Sequence, residues 1–393
     1  MSPGVRRLVA ALGGFTATGV LALSAFTGAS AAGATPVSAG ALAPTYVETH
    51  ALARSSAQVA AVEAYWKPER LKSANDFPPK TADPKPDGNR SSAAARSTAQ
   101  ASPATTAAAT GAGQWTVRPA QASRSAAEPR SGKKASSGAA AQAPKTVGKV
   151  FFRIGTQEYW CSASAVRAKN RSLVATAAHC AFDVRSGQPV QDWIFVPNYR
   201  KGEQPDGIYV GHTLVVHSRY AWEGDYDYDY AFVAVHPGFK WQAQKDAKGA
   251  ISYRRVSVGR LQDNVGGQGI TVNRGNTVKA VALGYPAGPQ PGGSRPYDGH
   301  TLRSCSGTTR KVTAPTYRLD RGIAIKGCDF TAGASGGPWL VHYDPAKGIG
   351  YLNGINSLSW NRVPDGKNDE ISSPYFDHTT RSAYNRAQSI ATG

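Results

Sequence analysis

The chain has 393 residues, with 45 Lys or Arg and 26 Asp or Glu, so its formal net charge is +19 at pH 7. This excess favours non-specific attraction to anionic surfaces. The basic residues are scattered, and neither a stacking aromatic platform nor a recognition helix accompanies them, which excludes a specific nucleic-acid-binding motif. Beyond the N-terminus, no segment is long and apolar enough to predict a membrane span.

The N-terminus has the layout of a secretory signal peptide. Arg6 and Arg7 precede an apolar stretch over residues 8–26, and Ala29-Ser30-Ala31 offers a cleavage site. A membrane anchor is the alternative, but glycines and threonines interrupt the stretch. The sequence therefore predicts a signal peptide over residues 1–31 and a secreted, extracellular protein without a membrane span.

Residues 32–144 are rich in Ala, Ser, Thr and Gly, with few large apolar side chains. Such a composition cannot offset the entropy of ordering, so we expect a largely disordered pro-segment or linker. Residues 56–74 differ, because Val59, Val62, Trp66 and Leu71 form a loose helical stripe. We expect a short helix there that touches the folded domain; a fortuitous amphipathic stretch is the alternative.

From residue 145 to 393, short runs rich in Val, Ile, Tyr and Phe alternate with breaks of Gly, Pro, Asn and Asp. This pattern is typical of an all-β sandwich or barrel. The length exceeds that of one small barrel and suits two packed antiparallel β-barrels. The composition of residues 381–391 predicts a C-terminal helix.

The chain has four cysteines, Cys161, Cys180, Cys305 and Cys328. Export would permit disulfides, and four cysteines allow three pairings. Their order suggests two local bonds, Cys161–Cys180 and Cys305–Cys328. Metal binding is the other interpretation, but the chain has no C-x-x-C pair and no two His at i, i+4, so we expect no metal site.

A histidine ends the run at residues 173–180, LVATAAHC. Small residues allow a close turn after the β-branched strand, and Cys180 holds the turn beside His179. A general base needs such rigidity, so His179 is a candidate base. A buried structural histidine is the alternative.

Three aspartates precede an apolar strand in the run at residues 225–235, DYDYDYAFVAV. Only Asp229 adjoins the buried part, so it is the candidate to accept the ring N–H of His179 and stabilise the imidazolium. We expect Asp225 and Asp227 to be solvated loop residues or cation contacts.

A single serine lies between glycines at residues 331–339, TAGASGGPW. Ser335 is the candidate nucleophile, and the N–H groups of Gly333 and Ser335 would stabilise an oxyanion. The order His, Asp, Ser disfavours an esterase built on a G-x-S-x-G elbow, in which the His comes last.

The motifs T-A-A-H-C, D-Y-A-F-V and G-A-S-G-G-P-W resemble those of the trypsin/chymotrypsin superfamily (peptidase family S1), in a bacterial branch similar to the V8-type, or glutamyl-endopeptidase-like, peptidases. The resemblance runs from about residue 147 to the C-terminus. It implies two six-stranded barrels, with His179 and Asp229 on the first and Ser335 on the second. It also implies a disulfide beside the catalytic His, and a strand over residues 352–357 that pairs with the substrate backbone. The segment 64–70 looks like pro-regions of such peptidases.

One departure from the family concerns activation. Trypsin-type enzymes carry an Asp just before the nucleophile, whereas this chain has Ala334. We therefore expect no activation through an ion pair with a new N-terminus. Removal of the pro-segment would act by relieving steric blockage, or as trimming.

A second departure concerns specificity. Asp329 stands six residues before Ser335, where trypsin-like enzymes carry the acid that binds Arg or Lys. Thr331 matches a Thr of the glutamyl-specific relatives, but Asn356, just before Ser357, replaces their His. We assign these four residues to substrate binding and expect a basic or broad preference rather than one for Glu.

Together these features predict a secreted serine endopeptidase that needs no cofactor, acts on polypeptides as a monomer, and uses His179, Asp229 and Ser335. The alternative is a catalytically inactive homologue that binds peptides or polyanions.

Overall fold

The computed structural model describes residues 46–73, 79–81, 113–123 and 144–392. The chain divides into two compact units, 1–44 and 45–393, and the first lies wholly outside the described residues. The predicted signal peptide therefore lies outside them too, as do residues 82–112 and 124–143 of the predicted linker. The second unit contains all of the described residues.

The described part of the chain is mostly β-structure. The strands are β1 (Val47–Ala51), β2 (Trp115–Val117), β3 (Val147–Ile154), β4 (Gln157–Val166), β5 (Leu173–Thr176), β6 (Phe182–Asp183), β7 (Gln188–Pro189), β8 (Gln191–Pro197), β9 (Tyr209–His217), β10 (Ala231–Val235), β11 (Gly238–Lys245), β12 (Ile251–Gly259), β13 (Gly269–Val272), β14 (Lys279–Gly284), β15 (Arg303–Thr308), β16 (Arg310–Ala314), β17 (Leu319–Lys326), β18 (Pro338–Asp344), β19 (Ile349–Ile355), β20 (Leu358–Trp360) and β21 (Glu370–Pro374).

The helices are few and short. They are α1 (Ser56–Tyr65), α2 (Pro68–Lys72), α3 (Ser218–Glu223), α4 (Leu261–Val265) and α5 (His378–Gln388), with 3₁₀ turns at Ala178–Cys180, Tyr226–Tyr228 and Pro315–Tyr317. The all-β class and the C-terminal helix are thus confirmed. Among the described helices, none combines the length and the apolar character needed to cross a membrane.

The first barrel is closed. Its strands follow the order β9-β10-β5-β4-β3-β8, and β8 pairs back onto β9. All five residues of β10 are buried, which explains its unbroken apolar sequence. In its centre, Phe232 pairs with Ala175 of β5 on one side and with Val215 of β9 on the other.

The second half of the domain divides its hydrogen bonds between two sheets. One has the order β15-β14-β18-β19-β13-β2, and the other β16-β17-β21-β20. Both sheets contribute to one apolar cluster that contains Ile323, Ile325, Trp339 and Ile371. The six-stranded second barrel implied by the resemblance is therefore present as two sheets around a shared core.

Both short strands of the N-terminal region escaped the sequence analysis, which expected 32–144 to be largely disordered. β1 pairs with β9, with Val47 opposite His217, and β2 pairs with β13, with Thr116 opposite Thr271. Each completes an existing sheet edge, so it needs little apolar surface of its own. The helix expected over 56–74 is present as α1 and α2, which are separated just before Pro68.

The cysteines form the two local bonds that their order suggested. Cys161 of β4 is joined to Cys180, and Cys305 of β15 to Cys328. The first bond connects a barrel strand to the turn that carries His179.

Candidate active site

His179 lies in the 3₁₀ turn that follows β5 and is completely buried. Its ring Nδ1 is 2.9 Å from Asp229 Oδ2 and 3.2 Å from Oδ1. Its backbone N–H also donates to Asp229 Oδ1, at 3.0 Å. One carboxylate therefore orients both the ring and the turn, and this directs the other ring nitrogen, Nε2, away from the aspartate.

Asp229 leads into β10 and is itself completely buried. Besides the bonds from His179, its Oδ2 accepts the hydroxyl of Ser357 at 2.6 Å. Ser357 was expected to contact the substrate, and it also lines the pocket beside Ser335. Its hydroxyl, however, serves to hold the aspartate, a role that sequence reasoning missed. Neighbours from both halves of the domain thus fix the carboxylate.

Asp225 and Asp227 are not solvated, contrary to the expectation from sequence: they are 2% and 7% exposed. Asp225 accepts the N–H of Asp227 and lies 3.0 Å from an Arg219 nitrogen. Asp227 accepts the N–H groups of Asp320 and Arg321, at 3.0 and 2.7 Å. Burial raises the pKa of Asp225 to about 6 and also raises the pKa of Asp227. These two carboxylates tie the loop together and attach it to β17.

The loop around Ser335 packs tightly against the first barrel through its glycines. Gly333 has φ +99°, and a Cβ there would lie 2.4 Å from the ring of Trp160 and 2.6 Å from the carbonyl oxygen of Tyr285. Gly336 has φ +78°, and its Cβ would lie 2.1 Å from Thr176 Oγ1. Only glycine allows both the backbone conformation and the close approach.

Ser162 of β4 connects this loop to the barrel. Its N–H donates to Ser335 O at 2.8 Å, and its hydroxyl donates to Gly333 O at 2.8 Å. The same hydroxyl accepts the N–H of Tyr285 at 2.9 Å. Sequence reasoning missed Ser162; its position next to Cys161, the disulfide partner of Cys180, was the only signal.

The backbone N–H groups of the loop fall into two sets. Those of Ala334, Gly336 and Gly337 donate to carbonyls of residues 331, 356 and 334. Those of Gly333 and Ser335 donate to no acceptor among the described residues. Two unused donors flanking one serine can stabilise a negative oxygen, as the sequence analysis expected of these two residues.

The hydroxyl of Ser335 is not hydrogen-bonded to His179 within the described part of the chain. Ser335 is partly exposed, whereas Nε2 of His179 is buried and has no hydrogen-bond partner among the described residues. The candidate base and nucleophile are thus held by separate hydrogen-bond networks. Both networks are attached to strand β4: the disulfide joins the His179 turn to it, and Ser162 joins the Ser335 loop to it.

A pocket of about 200 Å³ lies beside Ser335. Thr331 lines it, and its hydroxyl is buried without a hydrogen-bond partner among the described residues. The other lining residues are uncharged: Thr81, Tyr317, Phe330, Ala332, Ala334, Asn356, Ser357, Leu358 and Ser359. A larger groove of about 630 Å³, between Lys279 and His342, contains none of the predicted site residues.

Two of the residues assigned to substrate binding from the sequence have other roles. Asp329 is exposed, is not among the residues that line the pocket, and accepts a hydrogen bond from Tyr297. Asn356 lines the pocket, but its amide donates to the carbonyls of Leu283 and Ala334 and accepts from the indole of Trp339. Its hydrogen-bonding capacity is used within the protein, so it supports the Ser335 loop.

The Trypsin family model matches residues 136–376 of the chain. A thermostable serine protease, AL20, from an extremophilic microorganism is 28% identical, with a TM-score of 0.50; the match covers 63% of this chain and 98% of that one. The protease Anisep from Arthrobacter nicotinovorans is 29% identical, with a TM-score of 0.50, over 64% and 99% of the two chains. A Glu endopeptidase is 14% identical, with a TM-score of 0.44, over 63% and 92%. No curated protein matches the chain significantly.

Proposed function

The chain belongs to the trypsin family of serine endopeptidases, and from that premise we propose that it hydrolyses peptide bonds through His179, Asp229 and Ser335. The proposal rests on two features that are both attached to strand β4. The first is a buried histidine, His179, oriented by Asp229, whose carboxylate accepts hydrogen bonds from three groups. The second is Ser335, in a loop that is hydrogen-bonded to β4 and in which the N–H groups of Gly333 and Ser335 have no acceptor among the described residues.

The first chemical step is the attack of Ser335 Oγ on the carbonyl carbon of the substrate. Nε2 of His179 takes the hydroxyl proton, and Asp229 stabilises the resulting imidazolium through Nδ1–H. The N–H groups of Gly333 and Ser335 hold the oxyanion. His179 then protonates the leaving amine, and the acyl group stays on Ser335.

The second step is hydrolysis of the acyl-enzyme. Water loses a proton to His179 and attacks the acyl carbon, and Ser335 leaves with its proton restored. Neither step requires a cofactor. The strand expected to pair with the substrate, over residues 352–357, lies largely in β19, which has β18 on one side and β13 on the other. The substrate would instead extend along β20, an edge strand whose Leu358 and Ser359 line the pocket.

The pocket beside Ser335 favours an uncharged side chain in the substrate. Its lining residues are neutral, and Phe330, Tyr317 and Leu358 give it apolar walls. Asp329, on which a basic preference would depend, points to Tyr297 from an exposed position. We therefore propose cleavage after apolar or aromatic residues, which replaces the basic or broad preference expected from sequence; a Glu preference remains disfavoured.

We further propose that the protein is exported and that residues 1–31 are removed, on the strength of the N-terminal sequence pattern alone. Polypeptides are the proposed substrates.

Covalent labelling tests the proposed chemistry. A fluorophosphonate probe should label the purified chain at Ser335, and Ser335→Ala should abolish labelling and lower kcat by about 10⁶-fold. Peptide mapping locates the label. If the unfolding transition of the wild type is intact and no labelling occurs under any processing condition, the chain is instead an inactive homologue that binds peptides or polyanions.

A further inference from the structure

An N-terminal arm, residues 46–73, is docked on the first barrel. β1 extends the edge of β9, and α1 and α2 follow it. Trp66 is 0% exposed and Leu71 is 1% exposed, and the indole N–H of Trp66 donates to Asp192 O at 2.6 Å. A fully buried tryptophan is a strong anchor, so the arm is held as part of the domain core.

Charged contacts add to this anchoring. Glu158 of β4 accepts the hydroxyl of Tyr65 and a guanidinium N–H of Arg70, each at 2.5 Å. On the other side, Arg255 of β12 donates to both carboxylate oxygens of Glu63, at 2.8 and 2.9 Å. The arm therefore lies between the barrel and the β11–β12 hairpin, and both contact it.

Shortly after the arm, residues 79–81 lie on β4 beside the pocket that Ser335 lines, and we call them the strap. The N–H of Lys80 donates to Trp160 O at 2.9 Å, and Pro79 forms a parallel bridge with Trp160. At this point β4 pairs with β3 on one side, whereas its pairing with β5 begins only at Ser164. The strap thus occupies an edge of β4 that is open to another strand.

The strap also reaches the pocket. Thr81 lines the same pocket as Ser335, and the ring of Trp160 is the group that a Cβ at Gly333 would meet. A substrate must place its carbonyl between Ser335 and the N–H of Gly333, so chain already present at this rim competes with it. The complete burial of His179 agrees with a closed site.

We infer that the strap, residues 79–81, inhibits the candidate active site, and that the docked arm holds it there. The inference rests on the proposed function, and it names how that site is regulated. The contacts of the strap include the backbone hydrogen bond of Lys80 and its Nζ at 5.6 Å from the centroid of the Tyr159 ring, and each is weak by itself. Residues 74–78 connect the strap to the arm. Because this connection is short, the docked arm keeps the effective concentration of the strap at β4 high.

Two cleavage positions separate the role of the arm from simple loss of the N-terminus. In the full chain, a recognition sequence for a site-specific protease replaces residues 74–78, or is inserted between residues 95 and 96. Cleavage within 74–78 should raise kcat/KM on a peptide substrate by at least about 10-fold, because the strap loses its tether to the arm. Cleavage at 95/96 should leave kcat/KM within about twofold, because the strap stays tethered.

The same cleavages in a Ser335→Ala background show whether the arm remains bound. After cleavage at 95/96, the fragment that contains residues 46–81 should co-elute with the domain in size-exclusion chromatography. Dissociation of this fragment, an equal gain from both cleavages, or no gain from cleavage within 74–78 would each overturn the inference.

A pair of point variants tests the strap without cleavage. Lys80→Pro removes the N–H that donates to Trp160 O, whereas Lys80→Ala keeps it. We expect Lys80→Pro to raise kcat/KM by about 5-fold and Lys80→Ala to change it much less. A loss of activity in Lys80→Pro would mean that the strap helps to bind substrate.

Fluorophosphonate labelling distinguishes the two possible failures. If Ser335 is labelled equally fast in all forms and turnover does not change, the strap inference fails while the proposed function stands. If Ser335 is not labelled even after cleavage within 74–78 in a folded chain, the proposed function fails.

Discussion

Replacement of Ser162 by Ala tests whether the barrel positions the oxyanion donors. The side chain is 0% exposed, and its hydroxyl donates to Gly333 O and accepts the N–H of Tyr285. Ser162→Ala leaves both groups buried without a partner. Each such group costs about 1–3 kcal/mol, so the free energy of unfolding should fall by about 2–6 kcal/mol.

The catalytic effect follows from the conformation of Gly333. At φ +99° only the surrounding contacts select one orientation of its peptide groups, and the hydroxyl of Ser162 supplies one of them. Complete loss of an oxyanion donor lowers kcat by about 10²–10³-fold. Because the N–H of Ser162 still holds Ser335 O, we expect a smaller loss of about 10–100-fold.

The assay measures kcat and KM separately, with the affinity for a peptide aldehyde that mimics the tetrahedral intermediate. In Ser162→Ala, kcat and aldehyde affinity should fall together while KM changes by no more than about twofold. Thr176→Val is the matched control, since it removes only the bond from Thr176 Oγ1 to Ser162 O. An equal loss of kcat in both variants, or an unchanged kcat in Ser162→Ala, would refute the positioning role.

Three further predictions concern the buried polar residues Asp229, Ser357 and His217. Asp229→Asn should lower kcat by about 10⁴-fold with the unfolding transition retained, because the amide no longer selects the correct His179 tautomer; a loss below tenfold would contradict this role. Ser357→Ala removes one hydrogen bond to Asp229 and should lower kcat/KM, measured by steady-state kinetics, by about 5–10-fold. An unchanged kcat/KM would show that this hydrogen bond is dispensable. Burial, aided by the charge of Arg219, lowers the pKa of His217 from 6.5 to about 4. Between pH 4 and pH 6.5 the folded state therefore binds fewer protons than the unfolded state, so the free energy of unfolding should fall as the pH drops from 6.5 to 4. In urea titrations, His217→Asn should flatten this pH dependence, and an unaltered slope would assign it to other groups.

The candidate chemical residues were accessible from sequence because each depends on local pattern. His179 ends a β-branched strand beside a cysteine, and Ser335 lies between Gly333 and Gly336. Asp229 was preferred to Asp225 and Asp227 because it adjoins the apolar strand, and it is the aspartate that contacts His179. The burial of the other two was missed. For Asp227 the reason is that its partners, Asp320 and Arg321, lie more than 90 residues away.

The substrate pocket shows the opposite case. Asp329 has the spacing of a specificity residue, but its direction depends on Tyr297, which belongs to another loop. Asn356 stands where the glutamyl-specific relatives have a His that binds the substrate carboxylate. Its amide is instead hydrogen-bonded to Leu283, Ala334 and Trp339. Spacing along the chain does not determine which way a side chain points when its partners come from distant strands.

By itself, the sequence determined the all-β class and the identity of the candidate nucleophile and base, because short-range propensity and spacing control these features. The order of the cysteines suggested the two local disulfides among three possible pairings, and the structure has them. Only the tertiary structure decided that β1 and the arm join the first barrel, that Ser162 holds the Ser335 loop, and that residues 79–81 lie on β4. The physical reason is that these contacts join segments far apart in the chain, and their stability comes from open strand edges and buried surfaces that exist only once the barrel has formed.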